Sequence, residues 1–306
     1  MILIVGGSGT LGSLVVRRLL DAGQSVRVMS RTPAKAAASR AAGAEVVTGD
    51  LLDRDSLVRA CSGADALVAA AHSFLGRGRN ASIHVDGTGH RQLIDVAKAS
   101  GVRHVVYTSA YLPAPAYRSI LFFRIKNQIE EYLKASGLSY TIVRPTAFMD
   151  FHAHVLIGKP ILENKKVMLF GRGERPRNFI AADDVAQLVT WALHDTSAYG
   201  KTVDIGGPED LTHMDIVRVY ERTSGRKAAV RHMPVAVPRL LAPLIRSLHP
   251  GLSQILQAAV LADTADQRFD SRRLPPSPIK LTRLADWVSQ HVNRQSETHA
   301  VPTIAT

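Results

Sequence analysis

A chain of 306 residues can bury the core of one large α/β domain, or of a large domain with a smaller lobe, and its 46% hydrophobic and 21% charged content excludes a mostly disordered protein. The net charge of +12 invites a nucleic-acid reading. The basic residues, however, are spread without a dense run, and no helix-turn-helix, zinc-finger or stacking-aromatic motif accompanies them, so a generally basic surface without a nucleic-acid partner is expected.

In chain order, Ile2-Leu3-Ile4-Val5 reads as a buried strand, without the basic flank or cleavage site of a signal peptide. Gly6-Gly7-Ser8-Gly9-Thr10-Leu11-Gly12 follows directly, with glycines spaced as G-x-x-G-x-x-G and as G-x-G-x-x-G. Leu11, Leu14, Val15 and Leu19 then give a helix an apolar face, and Gly23 stops it. A glycine pattern alone is weak evidence. Between a strand and an amphipathic helix it has a mechanism. Gly6 permits the sharp turn, Gly9 lets a pyrophosphate approach the backbone, and Gly12 lets helix and strand pack closely. The amides of Thr10 and Leu11 face the phosphates at the positive end of the helix.

Further strands are predicted at Ser25 to Ser30, Glu45 to Thr48, Ala66 to Ala70, His104 to Thr108 and Ser139 to Val143. Helices alternate with them, including an alanine-rich one at Ala34 to Ala42 and a longer one from about Tyr117 to Ala135. This alternation predicts an α/β, Rossmann-type doubly wound parallel sheet. The end of the second strand selects the dinucleotide. Arg31 follows Ser30 there, offering a fork for a 2′-phosphate where an NAD site places an acid, so NADP(H) is expected over NAD(H). Asp50, just past the third strand, is either an adenine contact or an ordinary turn aspartate. The single cysteine, Cys61, excludes an intramolecular disulfide and fits a reducing cytoplasm.

After Pro145 the pattern becomes irregular. Strands are predicted near Val167 to Phe170, Asn178 to Ile180 and Thr202 to Ile205, with helices at Asp183 to His194 and Thr212 to Thr223. The expected organisation is a dinucleotide-binding domain over 1–146, an interleaved C-terminal substrate lobe over 147–293 and a disordered tail over 294–306. His152 and His154 have no third ligand in sight, so no metal is expected, and Arg172, Arg175 and Arg177 read as a solvated basic loop. The apolar stretch 235–261 is cut by Pro238, Pro243 and Pro250 and carries Arg239 and Arg246, which a membrane span would tolerate poorly. It serves as a lid over a small-molecule substrate or as a docking surface for a protein partner.

These landmarks, in this order, resemble the NmrA-like group of the atypical short-chain dehydrogenase/reductases. They are the glycine turn, Val46-Val47-Thr48-Gly49-Asp50-Leu51, Gly101 to Ser109, Gly137 to Pro145 and Asn178 to Ala186. Within that group the spacing looks most like the photosystem assembly factors and their bacterial relatives, with quinone and dye reductases slightly further away. The resemblance implies that Leu51, Ala70, Ala71 and Pro145 line the cofactor, and that His72 and Phe148 lie towards the nicotinamide side.

It also implies a Tyr-x-x-x-Lys pair on the helix after the fifth strand, in which lysine binds the nicotinamide ribose and lowers the tyrosine pKa. Here Lys126 is kept, but Phe122 stands in the tyrosine position. Three readings stay open. Lys126 acts as both ribose ligand and acid; or Tyr111, beyond Ser109 at the strand end, supplies a phenol; or no proton is transferred. The alternative for Lys126 is a surface lysine paired with Glu130 at i, i+4, and Ser109 is either a catalytic serine or a turn residue. Two functions follow: an NADP(H)-dependent oxidoreductase for a quinone-like or carbonyl compound, or a non-catalytic NAD(P)-binding sensor or assembly factor.

Overall fold

The computed structural model describes residues 1–274 and 279–299. Among these the strands are β1 (Ile2–Val5), β2 (Val26–Ser30), β3 (Glu45–Thr48), β4 (Ala66–Ala69), β5 (His104–Thr108), β6 (Ser139–Pro145), β7 (Ala147–Phe148), β8 (Lys166–Phe170), β9 (Arg177–Ile180), β10 (Lys201–Ile205), β11 (Asp210–Leu211) and β12 (Ala229–Met233). The α-helices are α1 (Thr10–Asp21), α2 (Ala37–Ala41), α3 (Arg54–Cys61), α4 (His90–Ala99), α5 (Leu121–Ala135), α6 (Lys159–Leu162), α7 (Ala182–His194), α8 (His213–Ser224), α9 (Ala236–Leu244), α10 (Pro250–Thr264) and α11 (Leu284–His299).

Seven strands form one parallel sheet in the order β10-β6-β5-β4-β1-β2-β3. Alternation at period two divides its side chains between two cores. Ile2, Ile4, Val28, Val68 and Val106 pack with α1 and α7 on one face, and Leu3, Val5, Leu67, Val105 and Tyr107 pack with α3, α4 and α5 on the other. The chain runs outward from β1 to β3 and then resumes at β4 on the far side of β1. The topological switch point is therefore the crevice beyond the carboxyl ends of β1 and β4, where such sheets bind ligands.

The lobe is interleaved with this sheet. Residues 182–205 return to it as α7 and β10, while β7, β9 and β11 form a second small sheet and β8 pairs with β12. A third core, with Met149, Ile157, Phe179, Ile216, Tyr220 and Trp287, holds the lobe together.

Several elements differ from their sequence expectation. The helix expected from Tyr117 is interrupted: Pro115–Ser119 form a 3-10 turn, Ile120 is extended at ψ 125°, and α5 starts at Leu121. The alanine-rich segment begins as a 3-10 turn at Pro33–Ala36, with Pro33 as its first residue, leaving only α2 as α-helix. The apolar stretch 235–261 forms two helices, α9 and α10. The tail expected from residue 294 starts inside a helix, since α11 continues to His299, and residues 300–306 lie outside the described residues. No helix among the described residues is long and apolar enough to cross a membrane.

Candidate functional site

The glycine turn stands at the switch point, and three of its glycines are demanded by the protein itself. Gly6 has φ +96°, and a Cβ there would lie 2.6 Å from the Ala71 nitrogen. A Cβ on Gly12 would lie 2.2 Å from the Gly6 carbonyl oxygen, and one on Gly7 would lie 2.8 Å from Val28. Gly9 is different. A Cβ there would meet the Gly6 oxygen at 3.3 Å, a tight contact but a looser one than at the other three glycines. Gly9 is also the N-cap of α1, with no side-chain cap and no acid in the first turn, so the amides of Thr10 and Leu11 begin the helix without a competing carboxylate.

At the end of β2, Arg31 is exposed and donates from Nη1 to Asn80 Oδ1 at 2.5 Å. Asp50 accepts from the Leu52 amide at 3.0 Å, the arrangement of a turn aspartate, and faces Arg79 at 3.7 Å. The loop 73–80 after β4 is thus tied to both residues. Leu51 is buried at the end of β3, and Ala70 and Ala71 press their backbones against Gly6.

Lys126 lies inside α5 and is 3% exposed, which removes the surface-lysine alternative. Its Nζ donates to the Thr108 carbonyl at the end of β5 at 3.0 Å and stands 3.9 Å from Asp86 Oδ1. It also lies 4.8 Å from the centre of the Tyr107 ring and 5.5 Å from that of Phe122. Burial lowers its pKa, and the carboxylates of Asp86 and Glu130 partly restore it. Glu130 is engaged elsewhere, taking Arg144 Nε at 2.9 Å and the hydroxyl of Ser109. Ser109 is therefore directed at α5, where it helps to fix Glu130.

Phe122 meets Phe74 edge to face at 4.9 Å and His72 at 6.2 Å. Its amide donates at 2.7 Å to Oε1 of Gln254 on α10, whose Nε2 donates to the Phe74 carbonyl at 3.3 Å. His72 has its pKa lowered by desolvation and by the Lys126 charge. Tyr111 belongs to other surroundings. Its ring meets Phe269 at 5.3 Å, and the charges acting on it are those of Arg273, Asp204, Asp270 and Asp210; desolvation raises its pKa, away from that of a ready acid. Pro145 ends β6 and its carbonyl accepts the Tyr111 amide at 2.9 Å. Lys126, Phe122 and His72 are thus brought together beyond the switch point, while Tyr111 lies with the lobe.

Sequence reasoning missed Asp86, Asn80 and Gln254, because only the fold brings them to Lys126, Arg31 and Phe122. It also misplaced Arg177. Arg172 and Arg175 are exposed as expected, but Arg177 opens β9, half-buried, with its guanidinium 5.6 Å from the centre of the Phe179 ring. The two histidines considered as a pair diverge: His154 bonds Tyr220 Oη at 3.0 Å, and His152 faces Phe179 at 6.4 Å.

The profile of the NmrA-like family matches residues 1–269. The chain is 29% identical to the photosystem II assembly factor Ycf39 of Synechocystis, over 96% of this chain and 91% of that one. It is 30% identical to a (4-alkanoyl-5-oxo-2,5-dihydrofuran-3-yl)methyl phosphate reductase of Streptomyces griseus, over 95% and 98% of the two chains. In fold it resembles an NADPH-dependent quinone oxidoreductase of Escherichia coli solved with NADPH, with TM-score 0.76 at 23% identity over 96% of this chain and 100% of that one. Sheet order, glycine turn and a match over most of its length agree: the chain belongs to the NmrA-like family.

Proposed function

We propose that the chain is an NADP(H)-dependent oxidoreductase acting on a quinone-like or carbonyl-bearing small molecule. One observation carries this reading: Lys126, buried beyond the switch point, keeps its ammonium 3.0 Å from the Thr108 carbonyl, with no phenol in the position of Phe122.

The residues present fit a dinucleotide. Gly9 presents bare backbone at the start of α1, which has no capping side chain. In this reading Thr10 and Leu11 hold the pyrophosphate and Arg31 holds the 2′-phosphate. Gly6, Gly12, Leu51, Ala70, Ala71 and Pro145 shape the groove, with Asp50 at its adenine end. NADPH supplies a hydride when bound. Lys126 holds the nicotinamide ribose and keeps a proton at Nζ, which burial makes easier to give up than that of a surface lysine. Phe122 excludes water from that ammonium. A quinone needs less help from a protein acid than a ketone does, which suits a site without the tyrosine. Ser109 positions Glu130, and Tyr111, which lies with the lobe, takes no part in this chemistry. The Streptomyces reductase among its relatives supports a small-molecule substrate, and the free Cys61 suits a reducing, cytoplasmic setting.

A second reading, a non-catalytic NAD(P)-binding assembly factor, is favoured by the Synechocystis relative and by the exposed Leu240, Leu244 and Leu248 in and after α9, 70%, 71% and 81% exposed. The test is NADPH oxidation by purified protein against quinones, aldehydes and azo dyes, beside NADPH and NADH titrations. Turnover with at least one acceptor is expected, with NADPH bound about tenfold or more tighter than NADH and most of that preference lost in Arg31→Ala. Dinucleotide binding without turnover on any acceptor would favour the second reading, and equal affinities for the two dinucleotides would remove Arg31 from the 2′-phosphate.

A further inference from the structure

Outside the Lys126 site, Arg177 combines partial burial with the lack of any ion-pair partner among the described residues. Arg177 is held at the start of β9 by its backbone, which pairs with Leu211 of β11 on one side and bridges to Gln267 on the other. Among the described residues its guanidinium forms no ion pair and no hydrogen bond, and its one close partner is the Phe179 ring at 5.6 Å. The remaining ionisable neighbour that favours its charge is the Tyr117 phenol, whose hydroxyl donates to Gln267 Oε1 at 2.8 Å. An arginine stays protonated, so a half-buried positive charge persists there without a counter-charge.

Two imidazoles share the same aromatic floor. The His152 ring lies 6.4 Å and the His213 ring 6.0 Å from the centre of Phe179. Both are held neutral, His213 down to about 4, by desolvation first and by the Arg177 charge second. Asp263 is the one carboxylate that acts on His213, and it also accepts the Arg172 amide at 3.1 Å. All three side chains of the cluster are half-buried, so solvent reaches them. They come from three separate elements: the helical segment 150–158, β9 and α8. The turn carrying Tyr117 leads directly into α5, and Tyr117, Phe123 and Phe122 are in successive edge contact at 5.2 and 5.5 Å. The cluster therefore stands on the lobe side of the Lys126 centre.

We propose that Arg177, His152 and His213 form an anion subsite that accepts the phosphate group of a phosphorylated small-molecule substrate. The proposal rests on the oxidoreductase reading for the word substrate, but not for the binding. A guanidinium fork takes two oxygens of a tetrahedral oxyanion and leaves a third for the imidazole N–H groups, whereas a carboxylate is saturated by the fork alone. No bond is made or broken in this step.

Inorganic phosphate is the probe, read by the imidazole NMR signals of His152 and His213. Phosphate also suits the glycine turn, so the titration is run on the parent and on Gly9→Val. Both imidazoles should shift with phosphate in both proteins, and their pKa values should rise as the anion joins Arg177 and Asp263 as a neighbouring charge. Apparent affinity should weaken about tenfold or more in Arg177→Gln, with an intermediate loss in Arg177→Lys, which keeps the charge without the fork. Acetate should bind more weakly than phosphate. Absent shifts, undiminished affinity in a folded Arg177→Gln, or equal binding of acetate would each overturn the proposal. NADPH affinity should be the same in Arg177→Gln and the parent. A protein that shows the phosphate response but oxidises no NADPH would leave the subsite standing and refute the oxidoreductase reading.

Discussion

Lys126 and Arg177 are two cations that the fold covers to different extents and treats in opposite ways. Lys126 is the more deeply buried, yet its surroundings answer its charge, with a backbone carbonyl at 3.0 Å, the Asp86 carboxylate at 3.9 Å and two aromatic faces. Arg177 has one aromatic face and no acid, and both imidazoles beside it are neutral. A charge compensated from within belongs to the folded protein whether or not a ligand is present. A charge left open gains its partner from outside, and the protein bears the cost until then.

The largest effect should come from removing the compensated charge. Lys126→Ala leaves Asp86 buried without its cation, so we expect a loss of roughly 3–5 kcal/mol in urea unfolding, together with a fall in turnover of ~100-fold to ~10,000-fold at saturating NADPH. Parent-like turnover would remove Lys126 from the chemistry. Asp86→Asn sharpens the same point by direction. The carboxylate that raises the Lys126 pKa is gone, so the alkaline limb of the pH-rate profile should move to lower pH.

Acid should discriminate less sharply, since each cation has a neutral imidazole beside it: His90 near Lys126 and His213 near Arg177, both with folded pKa about 4 against 6.5 for the free side chain. In the unfolded chain these histidines take up protons first, so their contribution to stability is present above pH 6.5 and is lost as pH falls towards 4. The slope approaches about 1.4 kcal/mol per pH unit for each. Melting temperatures should fall across that window, and saturating phosphate should reduce the share lost in the parent but not in His213→Gln. The smallest effect is expected from Arg177→Gln, within about 1 kcal/mol of the parent in urea, because no internal partner is stranded. A loss as large as that of Lys126→Ala would show that Arg177 is compensated after all.

What the sequence made legible follows the range of the forces involved. The glycine turn, the six strands up to Pro145 and the place of Lys126 are set by backbone and period, which act over a few residues, and all can be read from neighbouring letters. Asp86 meets Lys126 across 40 positions of sequence, and no local pattern marks it. Arg177 reads as one of three arginines in a loop, and only the pairing of β9 with β11 and Gln267 turns it inward. The break before α5 was hidden for another reason. Tyr117 and Ile120 continue an apolar helical spacing, but both are held by tertiary packing in a cluster with Phe122.

Gln254 of α10 has a thermodynamic consequence of its own. Its amide answers both the Phe122 N–H, at the first turn of the helix that carries Lys126, and the Phe74 carbonyl, in the segment after β4. Withdrawing α10 would strand these two backbone groups, at roughly 1–3 kcal/mol for each one left buried. Local opening of α10 is therefore cooperative with fraying at the start of α5, and the two should exchange amide hydrogens as one unit. Any body that grips the exposed leucines around α9 would register, through α10 and this glutamine, in the protection of the turn that positions Lys126.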